Sequence, residues 1–206
     1  YLNESNPKKR ATCTYRIGWY EGQFVLPDVT YGHGNDKVVL QKRINENPFK
    51  VSGTLQDWKD NLAYYCIGNS RLIFSLSLSL AGPLAKLTET ESGGINLFGT
   101  SSKGKTTAAK VAASFFGFGY QNWRTTDNAL EATAANHCDT ALILDEMSQT
   151  NLQLVGKVAY MLANGSGKYR ADKEGGQKKV QRWRILFLSN GEYAISNRLT
   201  DDGKRA

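Results

Sequence analysis

The chain has 206 residues, a net charge of +7 and a pI near 9.3, enough length for one large domain or a core domain with a small appendage. Its three cysteines, Cys13, Cys66 and Cys138, are too widely spaced for a disulfide framework or a metal cluster, so a reducing cytoplasm is the expected compartment. The excess of Lys and Arg points to a polyanionic partner, nucleic acid before membrane, or else serves only solubility.

The first residues, YLNESNPKKR, read as a solvated basic arm without an initiator Met. From Thr12 to Leu40, short β-rich runs are broken by Gly18, Gly22, Pro27 and the YGHGND cluster. They predict a small antiparallel sheet of hairpins. Trp19, Tyr20 and Phe24 are expected in its core, with base stacking beside Arg16 and Lys37 as the alternative. Ser52 or Thr54 can cap a helix over 55–66, with Leu55, Trp58, Leu62 and Tyr65 at helical spacing. The run 72–87 alternates Leu and Ser like a strand, but its length without turn residues favours a buried helix that Pro83 kinks or ends. It is too short and too Ser-rich to cross a bilayer, and no membrane association is expected. TETESG at 88–93 is the expected boundary between an N-terminal region, 1–92, and a core, 93–206.

The core opens on GINLFGTSSKGKTT. Gly99, Gly104, Lys105 and Thr106 fill the phosphate-binding pattern G-x-x-x-x-G-K-[ST], after an apolar strand and before a helical stretch. Glycines let successive N–H groups curl around an anion, and the helix that follows turns its positive end to the same point. Residues Gly99, Thr100, Ser101, Ser102, Lys103, Gly104, Lys105, Thr106 and Thr107 are the expected nucleotide-binding set. Lys105 would reach the terminal phosphates of ATP, and Thr106 would give its hydroxyl to Mg²⁺.

Gly117 and Gly119 break the pattern, NWRT is a short extended piece, and Thr126 can cap a helix over DNALEATAAN. ALILDE at 141–146 runs four apolar residues into two acids, as a buried parallel strand opening on a ligand crevice does. Asp145 would hold Mg²⁺ and Glu146 would act as general base on the attacking water; a strand ending in solvated acids is the alternative. The paired acids favour hydrolysis over a small-molecule kinase.

A helix is expected from Asn151 to about Ala163, then a Gly-rich basic stretch. Lys168, Tyr169, Arg170 and Lys173 precede a Gly-Gly tip, and Lys178, Lys179 and Arg182 follow it. They predict a protruding hairpin that contacts DNA phosphates, or else a solvated loop. The strand WRILFLS leads to Asn190, placed to orient the lytic water, or simply ending the strand. Arg198 and Arg205 are candidates for a trans-acting arginine finger. DDGKRA stops in polar residues without finishing an element, as expected of a piece of a longer protein.

Together GWYEGQFVLPD, SGTLQDWK, GTSSKGKTTAAKVAASFFG, NALEATAANHCDTALILDE and ILFLSNGE resemble the domain of unknown function 927 family of phage, plasmid and genomic-island proteins. That family resembles a branch of the AAA+ ATPases close to the self-loading helicases of mobile genetic elements. The resemblance implies an α/β AAA+ P-loop core whose parallel sheet is flanked by helices, preceded by a small β-rich and helical region. It also implies ATP and Mg²⁺ as cofactors, a homo-oligomeric ring, usually a hexamer, and single-stranded or forked DNA as partner. The expected activity is an ATP-hydrolysing helicase or translocase in replication of a mobile element. A P-loop switch without nucleic acid, or a P-loop kinase, is the alternative.

Overall fold

The computed structural model describes residues 10–34, 36–42, 44, 47–117, 119–123, 126–147, 152–171, 177–178 and 180–195. Four strands organise the centre: β6 (Gly93–Phe98), β7 (Gln121–Asn122), β8 (Thr140–Asp145) and β11 (Ile185–Gly191). They form one parallel sheet in the order β6-β11-β8-β7. The two inner strands are the apolar runs the sequence offers for burial on both faces, and every residue of β8 is buried.

Alternation along β8 divides the core into two layers. Ala141 and Ile143 join Leu188, Leu78 of α2 (Ser70–Leu87) and Ala109, Ala112 and Ala113 of α3 (Lys105–Ser114). Leu142 and Leu144 face the other way, onto Leu130 and Ala134 of α4 (Asp127–Asn136) and Val155, Val158 and Leu162 of α5 (Leu152–Asn164). The alanines of α3 leave room for α2 to approach closely, and Ser79 Oγ donates to the Ala112 carbonyl at 2.8 Å. The helix before residue 92 thus packs on the sheet after it.

Of the two alternatives for Pro83, ending the helix is excluded: it lies inside α2, where it forfeits one backbone bond while Gly82 and Ala85 on either side stay buried. One expectation for this region is corrected. The 55–66 helix is instead α1 (Leu55–Asn61) followed by a 3₁₀ turn, Ala63–Cys66, broken at Leu62 where ψ is −61° but φ reaches −132°. Thr54 caps α1 reciprocally with Asp57, yet Leu55 and Tyr65 point to solvent.

The N-terminal strands also pair differently from a set of hairpins. β2 (Gly18–Tyr20), β3 (Gln23–Val25) and β4 (Thr30–Tyr31) are antiparallel, but β1 (Ala11–Thr14) and β5 (Lys37–Leu40) pair in parallel. Trp19 and Phe24 stack edge to face at 5.1 Å, Phe24 buried and Trp19 half-buried. The region is fastened to the core by Trp19 Nε1, which donates to the Pro83 carbonyl at 2.7 Å, and by Arg16, whose Nη2 lies 3.2 Å from Asp139 Oδ2.

Candidate nucleotide site

The loop between β6 and α3 turns on two left-handed residues, Ser102 at φ 60° and Gly104 at φ 80°; the latter is the N-cap of α3. Glycine is suited to that cap because a side chain in this region costs about 1 kcal/mol. Lys105, the first residue of α3, folds back so that its Nζ donates to the carbonyls of Gly99 and Thr100, both at 2.8 Å. The ammonium is thereby held inside the curl of the loop. Thr106 and Thr107 are exposed on the first turn of the helix.

Parallel strands bring their carboxyl ends to the same edge, and here β8 and β11 end beside that loop. Asp145 is 6% exposed, and its Oδ1 accepts from the Glu146 N–H at 2.9 Å. The same N–H lies 3.0 Å from Asn190 Oδ1 at the end of β11. Glu146 sits at φ 61°, a left-handed conformation that swings its exposed side chain off the strand line. Because Glu146 N–H meets the amide oxygen of Asn190, the amide nitrogen is turned away. Asn190 is 3% exposed and its Nδ2 has no partner among the described residues. A buried donor without an acceptor is costly, and such groups cluster where a ligand completes the bonding.

These groups line one cavity of about 570 Å³: Ser101 to Thr107, Asp145, Glu146, Asn190, Gly191 and Glu192. A cationic loop thus faces a rim of acids. The hydroxyl of Thr106 and the carboxylate of Asp145 are hard oxygen donors of the kind Mg²⁺ takes, so the donor set fits that ion.

One participant had no role in the sequence reading. Asn122, in the two-residue edge strand β7, stands opposite Asp145 in the register, and its Nδ2 donates to Glu146 Oε2 at 2.8 Å. The neighbouring Trp123 is fully buried, with Nε1 donating to Ser189 Oγ at 2.9 Å and its N–H to the Asp145 carbonyl at 3.1 Å. These bonds lock β7 against the strands that carry the acids.

Among the described residues, none of the basic candidates for DNA contact lines the cavity. A hairpin does form, with β9 (Arg170–Ala171) antiparallel to β10 (Gln177–Lys178). Lys168 Nζ, however, lies 2.7 Å from Asp127, and Arg170 Nη2 lies 2.8 Å from Glu131, both on α4. Tyr169 and Arg182 are exposed. Lys173, Lys179, Arg198 and Arg205 lie outside the described residues, as does the side chain of Lys178.

A family model described as Domain of unknown function (DUF927) matches residues 1–182. The chain belongs to that family. No curated protein matches this DUF927 chain in sequence. Among solved structures it is similar to an SCCmec type IV Cch, an active helicase, with TM-score 0.70 and 20% identity over 96% of this chain. The alignment takes in 39% of that helicase, so the DUF927 chain spans well under half its length. The likeness shows a shared fold, a parallel four-stranded sheet flanked by helices. NtrX from Brucella abortus in complex with ADP aligns over 66% of this chain and 32% of its own, at 13% identity and TM-score 0.35, too slight an overlap to bear on the site. No helix among the described residues is long and apolar enough to cross a membrane.

Proposed function

We propose that residues 93–206 are the ATP-hydrolysing core of a DNA helicase or translocase of the AAA+ type, with residues 1–92 docked on it. The observation that carries this reading is the meeting of loop residues 101–107, Asp145, Glu146 and Asn190 around one cavity. The loop N–H groups and Lys105 bind the phosphates of ATP; Lys105 exchanges its two carbonyl partners for phosphate oxygens. Thr106 and Asp145 would hold Mg²⁺, which would offset negative charge on those oxygens. Glu146 accepts the proton of the attacking water, and the unpartnered Nδ2 of Asn190 donates toward the reacting phosphate or that water.

Support for the motor assignment comes from the shared fold with an active helicase and from the basic hairpin placed directly before β11. Single-stranded or forked DNA is the proposed partner, with a cytoplasmic ring of subunits in which Arg198 or Arg205 reaches a neighbour's nucleotide. Replication of a mobile element is the proposed setting. A switch ATPase without nucleic acid is the second reading; the pairing of Lys168 and Arg170 with α4 favours it, since those cations are already engaged.

Lys105→Ala should abolish ATP binding measured by calorimetry, a loss of at least about a hundredfold in affinity for a site built on a phosphate cradle. Unchanged affinity would refute the nucleotide site. Salt-sensitive binding of single-stranded oligonucleotide by the full-length protein, with stimulation of its ATPase, separates the motor from the switch.

A further inference from the structure

Helix α4 turns two acids and an amide toward the root of the hairpin. Asp127 takes Lys168 Nζ at 2.7 Å; Asn128 Oδ1 and Glu131 Oε1 take Arg170 Nη2 at 2.7 and 2.8 Å. The Lys168 N–H also points to Glu131 Oε1, at 3.4 Å. These bonds are unequal in depth. Lys168 and Asp127 are 58% and 28% exposed, whereas Glu131 is 2% exposed. An ion pair near water contributes little, but a buried carboxylate stripped of its partner is strongly unfavourable. The fit is close: a Cβ added at Gly167 would come within 2.7 Å of Glu131 Oε2.

Arg170 therefore cannot leave for a DNA phosphate without stranding a buried charge. A role as a simple phosphate contact does not account for that arrangement. The same N-terminal end of α4 supplies a second fact. Just before its cap at Thr126 the chain passes through Trp123 and Asn122, the residues bonded to Ser189, Asp145 and Glu146. The first turn of α4, which holds the hairpin root, thus follows closely in sequence the strand whose Asn122 holds the proposed general base.

We propose that Glu131 is a positioning residue: it seats the hairpin on α4 through Arg170, aided by the Asp127–Lys168 pair, so that DNA engaging the hairpin acts on Asn122 and through it on Glu146. This rests on the motor reading above. The phosphate contacts themselves fall to other groups of the hairpin.

The test uses full-length protein, oligo-dT, and turnover measured with and without DNA. Glu131→Gln keeps DNA-free turnover, while the stimulation by DNA falls about fivefold, within the range for residues that carry coupling. Asp127→Asn, on the surface and safe for folding, lowers stimulation about twofold. Arg170→Gln lowers stimulation as Glu131→Gln does but leaves the salt slope of oligo-dT binding unchanged. A phosphate contact there would reduce that slope by about 0.7 and overturn the proposal. Stimulation at the wild-type level in Glu131→Gln also overturns it; should that variant not fold, wild-type stimulation in Asp127→Asn does so. A wild type that oligo-dT does not stimulate overturns the motor reading and the coupling together, which distinguishes the two failures.

Discussion

The two ends of β8 carry the same ingredients and put them to different use. Below the strand stands Asp139, left-handed at φ 56° and wholly buried; above it stand Asp145, nearly buried, and Glu146, left-handed at φ 61°. Each end even has a buried polar atom without a partner among the described residues, Asp139 Oδ1 below and Asn190 Nδ2 above. The difference lies in what faces the carboxylate. Asp139 meets Arg16 and the Trp19 N–H, at 3.2 and 3.0 Å, so its charge is spent on holding the N-terminal sheet. Asp145 and Glu146 meet a cavity of about 570 Å³ and a cationic loop. Strain and buried acids therefore mark a site only where open space adjoins them.

That contrast can be broken by substitution at either end. The largest effect belongs above the strand. Glu146→Gln keeps the length and the hydrogen bond from Asn122 but cannot accept a proton. ATP turnover by the full-length protein should fall about 10²- to 10⁴-fold, while ATP affinity and the melting temperature stay near wild type. Normal turnover would remove Glu146 from the base role. Below the strand the order reverses. Asp139→Ala leaves Arg16 half-exposed and able to reach water, yet it loses two hydrogen bonds and places alanine in a left-handed conformation. A loss of about 2–3 kcal/mol follows, read as a melting temperature lower by about 5–10 °C with ATP affinity unchanged. If Asp139→Ala instead abolished turnover in a protein that melts normally, the division between the two ends would fail.

The upper end was legible in the sequence because its chemistry is local. The loop, the acid pair after four apolar residues and the Asn after WRILFLS each lie within a single strand and its exit. The unbroken apolar run ALIL likewise foretells a parallel strand buried on both faces. What stayed hidden depends on register and burial. Asn122 belongs to a strand of two residues, and only its pairing opposite Asp145 gives it a role. Glu131 reads as one more solvated helix acid, since nothing in DNALEATAAN says that Arg170, far along the chain, will cover it. The parallel pairing of β1 with β5 is likewise non-local. The basic run of the hairpin was visible, but not that α4 already engages two of its cations.

A milder difference between the ends concerns protons. His137, at the turn into β8, is 4% exposed, with Nδ1 2.9 Å from the Thr133 carbonyl and its ring 5.6 Å from that of Phe49. Burial pushes its pKa below the usual 6.5, and the bond to Thr133 opposes that shift without cancelling it. Above pH 6.5 the imidazole is neutral whether the chain is folded or not, and the site carries no penalty. As pH falls below that value, the unfolded chain takes up a proton that the folded chain refuses, so stability declines until the folded pKa is passed. His137→Asn retains a donor for the Thr133 carbonyl but no titrating group. Between about pH 7.5 and about pH 5.5 its melting temperature should fall less steeply than that of the wild type. An equally steep decline would mean that the imidazolium is accommodated inside the fold, and that the lower end of β8 is less closed to water than the contacts around Asp139 imply.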